Sequence, residues 1–353
     1  MKFYLFLLPV VLHALLIHTA ALPPLSRRVC QSSLRDCPEG IIIVSKSHPR
    51  AHFSTALAAI ESLPNDESKQ IILIQAGSYT EQLNVTRTGP ITLLGQTDSA
   101  NHDNTGKSVD NVFSSVLVVA PTLVASYTGS GPTGYPVPED TPFGNVDFRV
   151  YNIDFRNTWA DYSDGPAHAS SLSRANGGFY SYQDTVYVGK LGNAYFYKNI
   201  IAGQTDFLYG FVTAWVQSSD VLLRNCGGGI TATACTSYST VNAANASIAP
   251  TIAGKCALGR PWNSLHRSIF ANGYEDGSIQ PSGYIDWVVS GVSRFSNDTV
   301  MAEYKAFGPR SQRHGPQRRR RCDRARYEEV QALQLTQEGI PDARWQARKH
   351  RLD

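Results

Sequence analysis

Two aspartates carry the most chemistry in this sequence. Asp184 lies in Tyr182-Gln183-Asp184-Thr185 and Asp206 in Gln204-Thr205-Asp206-Phe207, 22 positions apart. In a chain wound as stacked β-coils of that length, the two acids occupy neighbouring coils, about 5 Å apart at the backbone, as adjacent strands are. Two carboxyls that close do not both ionise easily, so one keeps a proton beside a free anion. The pair is then an acid next to a nucleophile. A carboxylate attacks an ester only if it stays ionised, is positioned, and faces a stabilised oxyanion. A lone Asp in a turn usually serves only the turn. The coil-length separation, Gln183 and the later Arg260 together favour chemistry.

Other chemistries lack their parts. No Gly-x-Ser-x-Gly occurs and the nine histidines are scattered, so a serine-esterase triad has no nucleophile elbow. The six cysteines (Cys30, Cys37, Cys226, Cys235, Cys256, Cys322) have no zinc-like CxxC spacing. His102 and Asp103 sit in the polar segment 99–111 without a second His or a spaced acidic set, which reads as a solvated loop. No metal or other cofactor is expected.

The elements that must position the acids read as β-strands. Short β-rich runs recur at Ile71–Gln75, Ile91–Leu94, Val116–Val119, Val146–Phe155, Ala194–Ile201 and Val221–Asn225, separated by turns. Three carry an asparagine in an apolar setting, Asn152, Asn199 and Asn225. Recurrence near 22 to 26 residues predicts a right-handed parallel β-helix with one turn asparagine per coil. A β-sandwich ranks second, since its turns come about every 8–12 residues. Before the strands, Phe53, Leu57 and Ile60 have helical spacing, with Ser54 as a candidate N-cap and Pro64 beyond the end. A short N-terminal helix there would cap the open end of the β-stack.

The first 21 residues, with Lys2, an apolar run and Ala20-Ala21, read as a secretory signal peptide, not a membrane anchor. Three sequons at Asn84, Asn245 and Asn297 agree with export, as do cysteines free to form disulfides. The formal charge of +3 is unevenly spread: residues 310–353 hold twelve Lys/Arg against six Asp/Glu, so the chain before them sums to −3. The reading is a single β-helix domain over 22–309 and a basic, disordered tail over 310–353, with no nucleic-acid partner and no membrane association.

Four segments in order carry a family resemblance: Gly77-Ser78-Tyr79-Thr80-Glu81, Tyr182-Gln183-Asp184-Thr185, Asp206-Phe207-Leu208-Tyr209-Gly210 and Leu258-Gly259-Arg260-Pro261-Trp262. The chain resembles the pectin methylesterases, of the secreted fungal type, from about residue 40 to residue 309. The resemblance implies a β-helical, monomeric carbohydrate esterase acting on methyl-esterified homogalacturonan. It implies Asp206 as nucleophile, Asp184 as acid and then base, Gln183 at the oxyanion, Arg260 holding Asp206 ionised, and Trp262 against a sugar ring. Thr205 joins the substrate-binding set, and His168 stands where the family pattern has a glutamine. Tyr79 and Glu81 read as ordering a turn. The rivals are a non-catalytic pectin-binding β-helix and a glycosidase or lyase on the same fold.

Two irregularities carry expectations of their own. From Tyr197 to Asp206 there are nine steps, and from Tyr180 to Asp184 only four, which predicts that about five residues, including a turn, are missing before Asp184 and that its register is shifted. Between Cys226 and Cys256, no strong strand is expected before Val241. That interval is also short for the family.

Overall fold

The computed structural model describes residues 34, 37, 39–96, 111–113, 117–119, 145, 147–157, 174–189, 194–211, 214–232 and 234–310. The expected signal peptide 1–21, Cys30, residues 99–110, His168, and residues 311–353 with Cys322 lie outside them.

Alternating apolar residues in short runs give strands too brief to stand alone, and winding them into coils pairs each with its equivalents above and below. The result is a parallel β-helix. One row runs Ile42–Val44, Gln70–Ile74, Ile91–Gly95, Phe148–Arg156, Arg174–Tyr180, Ala194–Tyr197, Ala214–Gln217, Ala234–Ser237, Arg267–Ala271 and Val300–Tyr304, each parallel to the next. After a bend come Ile200–Gly203, Asp220–Leu223, Thr240–Ala243 and Tyr274–Glu275. A third face stacks Val186–Val188, Leu208–Gly210, Gly229–Thr231 and Ala257–Gly259. Inside, equivalent positions form apolar ladders: Phe155, Phe179 and Phe196 lie with ring centroids 5.6 Å apart at both contacts. Burying one such ring is worth roughly 1.5–3 kcal/mol.

The bend between the first two rows is made by one residue per coil in left-handed backbone conformation. Asn152, Lys198, Ser218, Tyr238, Asn272 and Lys305 hold φ between 49° and 55°. The expected asparagine repeat is corrected here: of the three, only Asn152 sits at this position. Asn199 is the next residue after its bend, and it begins a different ladder, accepting from the Gly177 amide at Oδ1 while its own amide donates to Ser219 Oγ. The Ser219 amide donates in turn to Ser239 Oγ. Asn225 is exposed, and its Oδ1 accepts from the Cys226 amide. Serine fills the inner position as well as asparagine, so counting asparagines misjudged the period, which is 20 residues from Asn199 to Ser219 to Ser239.

The predicted five-residue gap before Asp184 is also corrected. Tyr180 pairs with Ala202, not with Tyr197, and from each partner the acid is four residues on. The shortfall is one residue and lies earlier. Asn152 bulges between Tyr151 and Ile153, where the facing strand passes directly from Asn176 to Gly177. A side chain at Gly177 would meet the Ile153 carbonyl oxygen at 2.1 Å, so the tightened bend requires glycine. The loss is absorbed before the strand ends, and the register of Asp184 is intact.

The interval after Cys226 likewise holds a full coil, with strands Gly229–Thr231, Ala234–Ser237 and Thr240–Ala243. Its small Thr, Ala and Ser residues hid the pattern. A Cys226–Cys256 disulfide closes this coil, with Cα atoms 4.8 Å apart. Helix α1 (Ala56–Glu61) covers the first coils through Ala56, Ala59 and Ile60. Its N-cap is Thr55, not Ser54: Thr55 Oγ1 accepts from the Ala58 amide, and Glu81 accepts from the Ala56 and Leu57 amides. Glu81 therefore secures the cap of the β-stack. At the other end Glu275 takes the ladder position after Val221 and Val241. Arg310 closes that end, ion-paired with Glu275 and Glu303 and 5% exposed.

Candidate active site

Asp184 and Asp206 occupy the same position of adjacent coils. Val186 pairs with Leu208, and two residues earlier the Asp184 amide donates to the Thr205 carbonyl at 3.1 Å while Gln183 bridges Thr205. Both acids have left-handed backbone, φ 55° and 46°. Aspartate tolerates that region better than most residues, and strain of this kind is typical of functional positions. The turn places both side chains where the second row gives way to the third.

Asp206 is 5% exposed and held on several sides. Arg260 Nε donates to its Oδ1 at 2.9 Å and Nη2 to its Oδ2 at 2.5 Å, and the Gly229 amide reaches Oδ1 at 3.3 Å. This two-pronged ion pair fixes the carboxylate in orientation. Asp184 differs: burial, and then the neighbouring Asp206 carboxylate, push it up to about 7 against the opposing pull of Arg260. Near neutral pH the site therefore pairs a carboxylic acid with a carboxylate.

Arg260 reaches Asp206 because the sequence supplies Gly227-Gly228-Gly229 one coil beyond Gln204-Thr205-Asp206. A Cβ on Gly228 would lie 2.4 Å from Arg260 Cζ, so only glycine lets the guanidinium lie against this coil. Thr205 is 9% exposed, with its Oγ1 against Gly227, which leaves little surface for a ligand to touch. Trp262 packs on Tyr209 and Phe211 at centroid distances of 5.6 and 5.1 Å, and Tyr209 on Tyr187 at 4.9 Å. Burial and then the neighbouring Asp184 push the Tyr209 phenol up. His168 is outside the described residues.

The sequence reading omitted Gly228, the tyrosine pair and Trp287, which stacks on Arg260 with its ring centroid 3.9 Å from Cζ. The tyrosines had a signal: Tyr187 and Tyr209 are 22 apart, the same interval as the acids. Trp287 had none, since it comes from beyond the last motif. Among the described residues no cluster of His, Cys, Asp and Glu has the arrangement of a metal site.

A family model described as Pectinesterase matches residues 166–338. A probable pectinesterase A of Neosartorya fischeri is 30% identical over 277 residues, covering 75% of this chain and 79% of the relative. The chain belongs to the pectinesterase family. Solved structures agree with this pectinesterase fold. The pectin methylesterase of Aspergillus niger superposes with a TM-score of 0.60 at 22% identity, over 78% of this chain and 87% of that one. A pectin methylesterase crystallised with a hexasaccharide gives a TM-score of 0.61 at 22% identity, over 85% of this chain and 98% of that one.

Proposed function

We propose that this chain hydrolyses the methyl esters of galacturonate units in pectin, releasing methanol and leaving free carboxylates on an uncut polymer. The observation that carries this reading is the unlike pair on one register: Asp206 fixed as an anion by Arg260, and Asp184 retaining its proton until about pH 7. Asp206 attacks the ester carbonyl carbon and forms a C–O bond, and the negative charge moves to the carbonyl oxygen beside the Gln183 amide. The C–OCH3 bond then breaks, Asp184 gives its proton to the departing oxygen, and methanol leaves. Asp184, now a carboxylate, takes a proton from water; the hydroxide adds to the acyl carbon, and Asp206 is expelled unchanged. Trp262, with Tyr209 and Phe211 behind it, offers an apolar face to a sugar ring.

The partner is methyl-esterified homogalacturonan, bound by a monomeric, secreted protein. The names of the relatives support the substrate class, and one structural neighbour holds a hexasaccharide. No helix among the described residues is long and apolar enough to cross a membrane. The intact register of Asp184 removes the ground for expecting a non-catalytic pectin-binding relative. Incubation with highly methylated pectin tests the reading: methanol with unchanged polymer length supports it. New chain ends would indicate a glycosidase or lyase, and binding without product a non-catalytic module.

A further inference from the structure

The guanidinium of Arg260 is gripped along its edge by Asp206, but an edge-on ion pair leaves the plane of the group free to rock. Its face is covered by the indole of Trp287, at 3.9 Å from Cζ. The same ring faces a second guanidinium, that of Arg294, at 5.2 Å. Arg294 is tied in three ways: its amide donates to the Trp287 carbonyl at 3.0 Å, its Nη1 donates to the Trp262 carbonyl, and its charge lies over the indole. These links close a hairpin in which Val288–Val289 pairs antiparallel with Val292–Ser293, turned by Ser290 and Gly291 at φ 50° and 77°. The two positive φ values match the short turn that suits strand twist. The hairpin's own apolar residues, Val288, Val289 and Val292, are exposed, as is Phe295 just beyond it, so the hairpin is not held by a core of its own. It stays in place through Arg260, Trp287, Arg294 and Trp262.

We propose that Trp287 is a positioning residue for the nucleophile, clamping the Arg260 guanidinium in the plane that grips Asp206, and that Arg294 locks Trp287 to the Trp262 loop. The proposal rests on the reading of Asp206 and Arg260 given above and extends it to residues outside the motifs. Removal of the indole leaves Asp206 in place but lets its partner swing away. Cation–π contact of this kind is energetically comparable to a surface hydrogen bond and is directional. The loss therefore falls on the orientation of the reacting carboxylate, not on binding of the polymer. Arg260 also pulls Asp184 downward, so its displacement moves Asp184 upward; the other charged group acting on Asp184 is Asp206, and Asp184 in turn acts on Tyr209 of the aromatic wall.

The test compares wild type with Trp287→Ala, Trp287→Phe, Arg294→Ala and Arg260→Gln, measuring methanol release on methylated pectin from pH 5 to 9. For Trp287→Ala, kcat is expected to fall about tenfold with KM nearly unchanged, and the alkaline limb of kcat/KM to move to higher pH. Trp287→Phe restores most of both. Arg294→Ala falls between. A loss confined to KM makes Trp287 a substrate contact and overturns the proposal, as does a wild-type rate and pH limb. Should the wild type release no methanol, the proposed function fails by itself. The pH at which urea stability declines then still reports on Asp184: an upward shift in Trp287→Ala supports the clamp, and superimposable curves overturn it.

Discussion

Replacing Asp184 with Asn gives a stability test that needs no substrate. The backbone there has φ 55°, a conformation that Asn adopts readily, so the turn is retained and only the ionisable group is lost. In the folded chain Asp184 is raised from 3.8 to about 7, chiefly by burial. Between those values the unfolded chain releases its proton while the folded chain keeps it. Stability therefore falls as pH rises through the window and stays reduced above pH 7. About three units at roughly 1.4 kcal/mol each make the full effect up to about 4 kcal/mol. The variant lacks this cost. Urea unfolding at pH 4 and pH 8 is expected to show Asp184→Asn gaining up to about 4 kcal/mol on the wild type between the two conditions, while methanol release is lost. Glu275, pushed up to about 7 mainly by burial, titrates in both proteins and cancels in the difference. A stability difference that is the same at both pH values would refute the claim that Asp184 is a half-buried, protonated acid.

Arg260→Lys replaces a two-pronged donor by a point charge, and kcat/KM on methylated pectin is expected to fall about 10- to 100-fold with the fold intact by circular dichroism. Gly228→Ala puts a methyl group 2.4 Å from Arg260 Cζ; displacement of that size near a reacting carboxylate is expected to lower kcat about 100-fold, and a near-native rate would show that the coil yields easily. Arg310→Met leaves Glu275 buried without its cation, with an expected loss of about 3–5 kcal/mol at pH 8 and less at pH 5, where Glu275 is protonated. Cys256→Ser opens a loop with a sequence separation of 30 and is expected to cost about 3–4 kcal/mol in non-reducing urea melts.

The winding of the chain was legible because apolar runs recur at coil length, and the acid pair because its spacing equals one coil. Register was not. Tyr180 and Tyr197 are alike as residues but belong to different positions, and only strand pairing shows that Tyr180 faces Ala202. The bend residues were hidden for a related reason. The left-handed position takes Lys198, Ser218 and Tyr238 as well as asparagine, because winding, not intrinsic preference, sets the conformation there. Arg260 and Trp262 were readable from their motif, whereas Trp287 and Arg294 reach the site from a hairpin whose own sequence, Val-Val-Ser-Gly-Val-Ser, carries no chemical signal. Glu81, read from its motif as ordering a turn, instead accepts from the first amides of a helix.

The account depends on Asp206 forming a covalent bond to the substrate acyl group. Adding hydroxylamine during turnover of methylated galacturonan tests this directly, because a mixed anhydride on Asp206 is captured as the hydroxamate faster than the ester itself reacts. The expected result is enzyme-dependent galacturonyl hydroxamate with the wild type and none above background with Asp206→Asn. Rapid methanol release by the wild type without any hydroxamate would mean that water attacks the ester directly and that Asp206 is not the nucleophile.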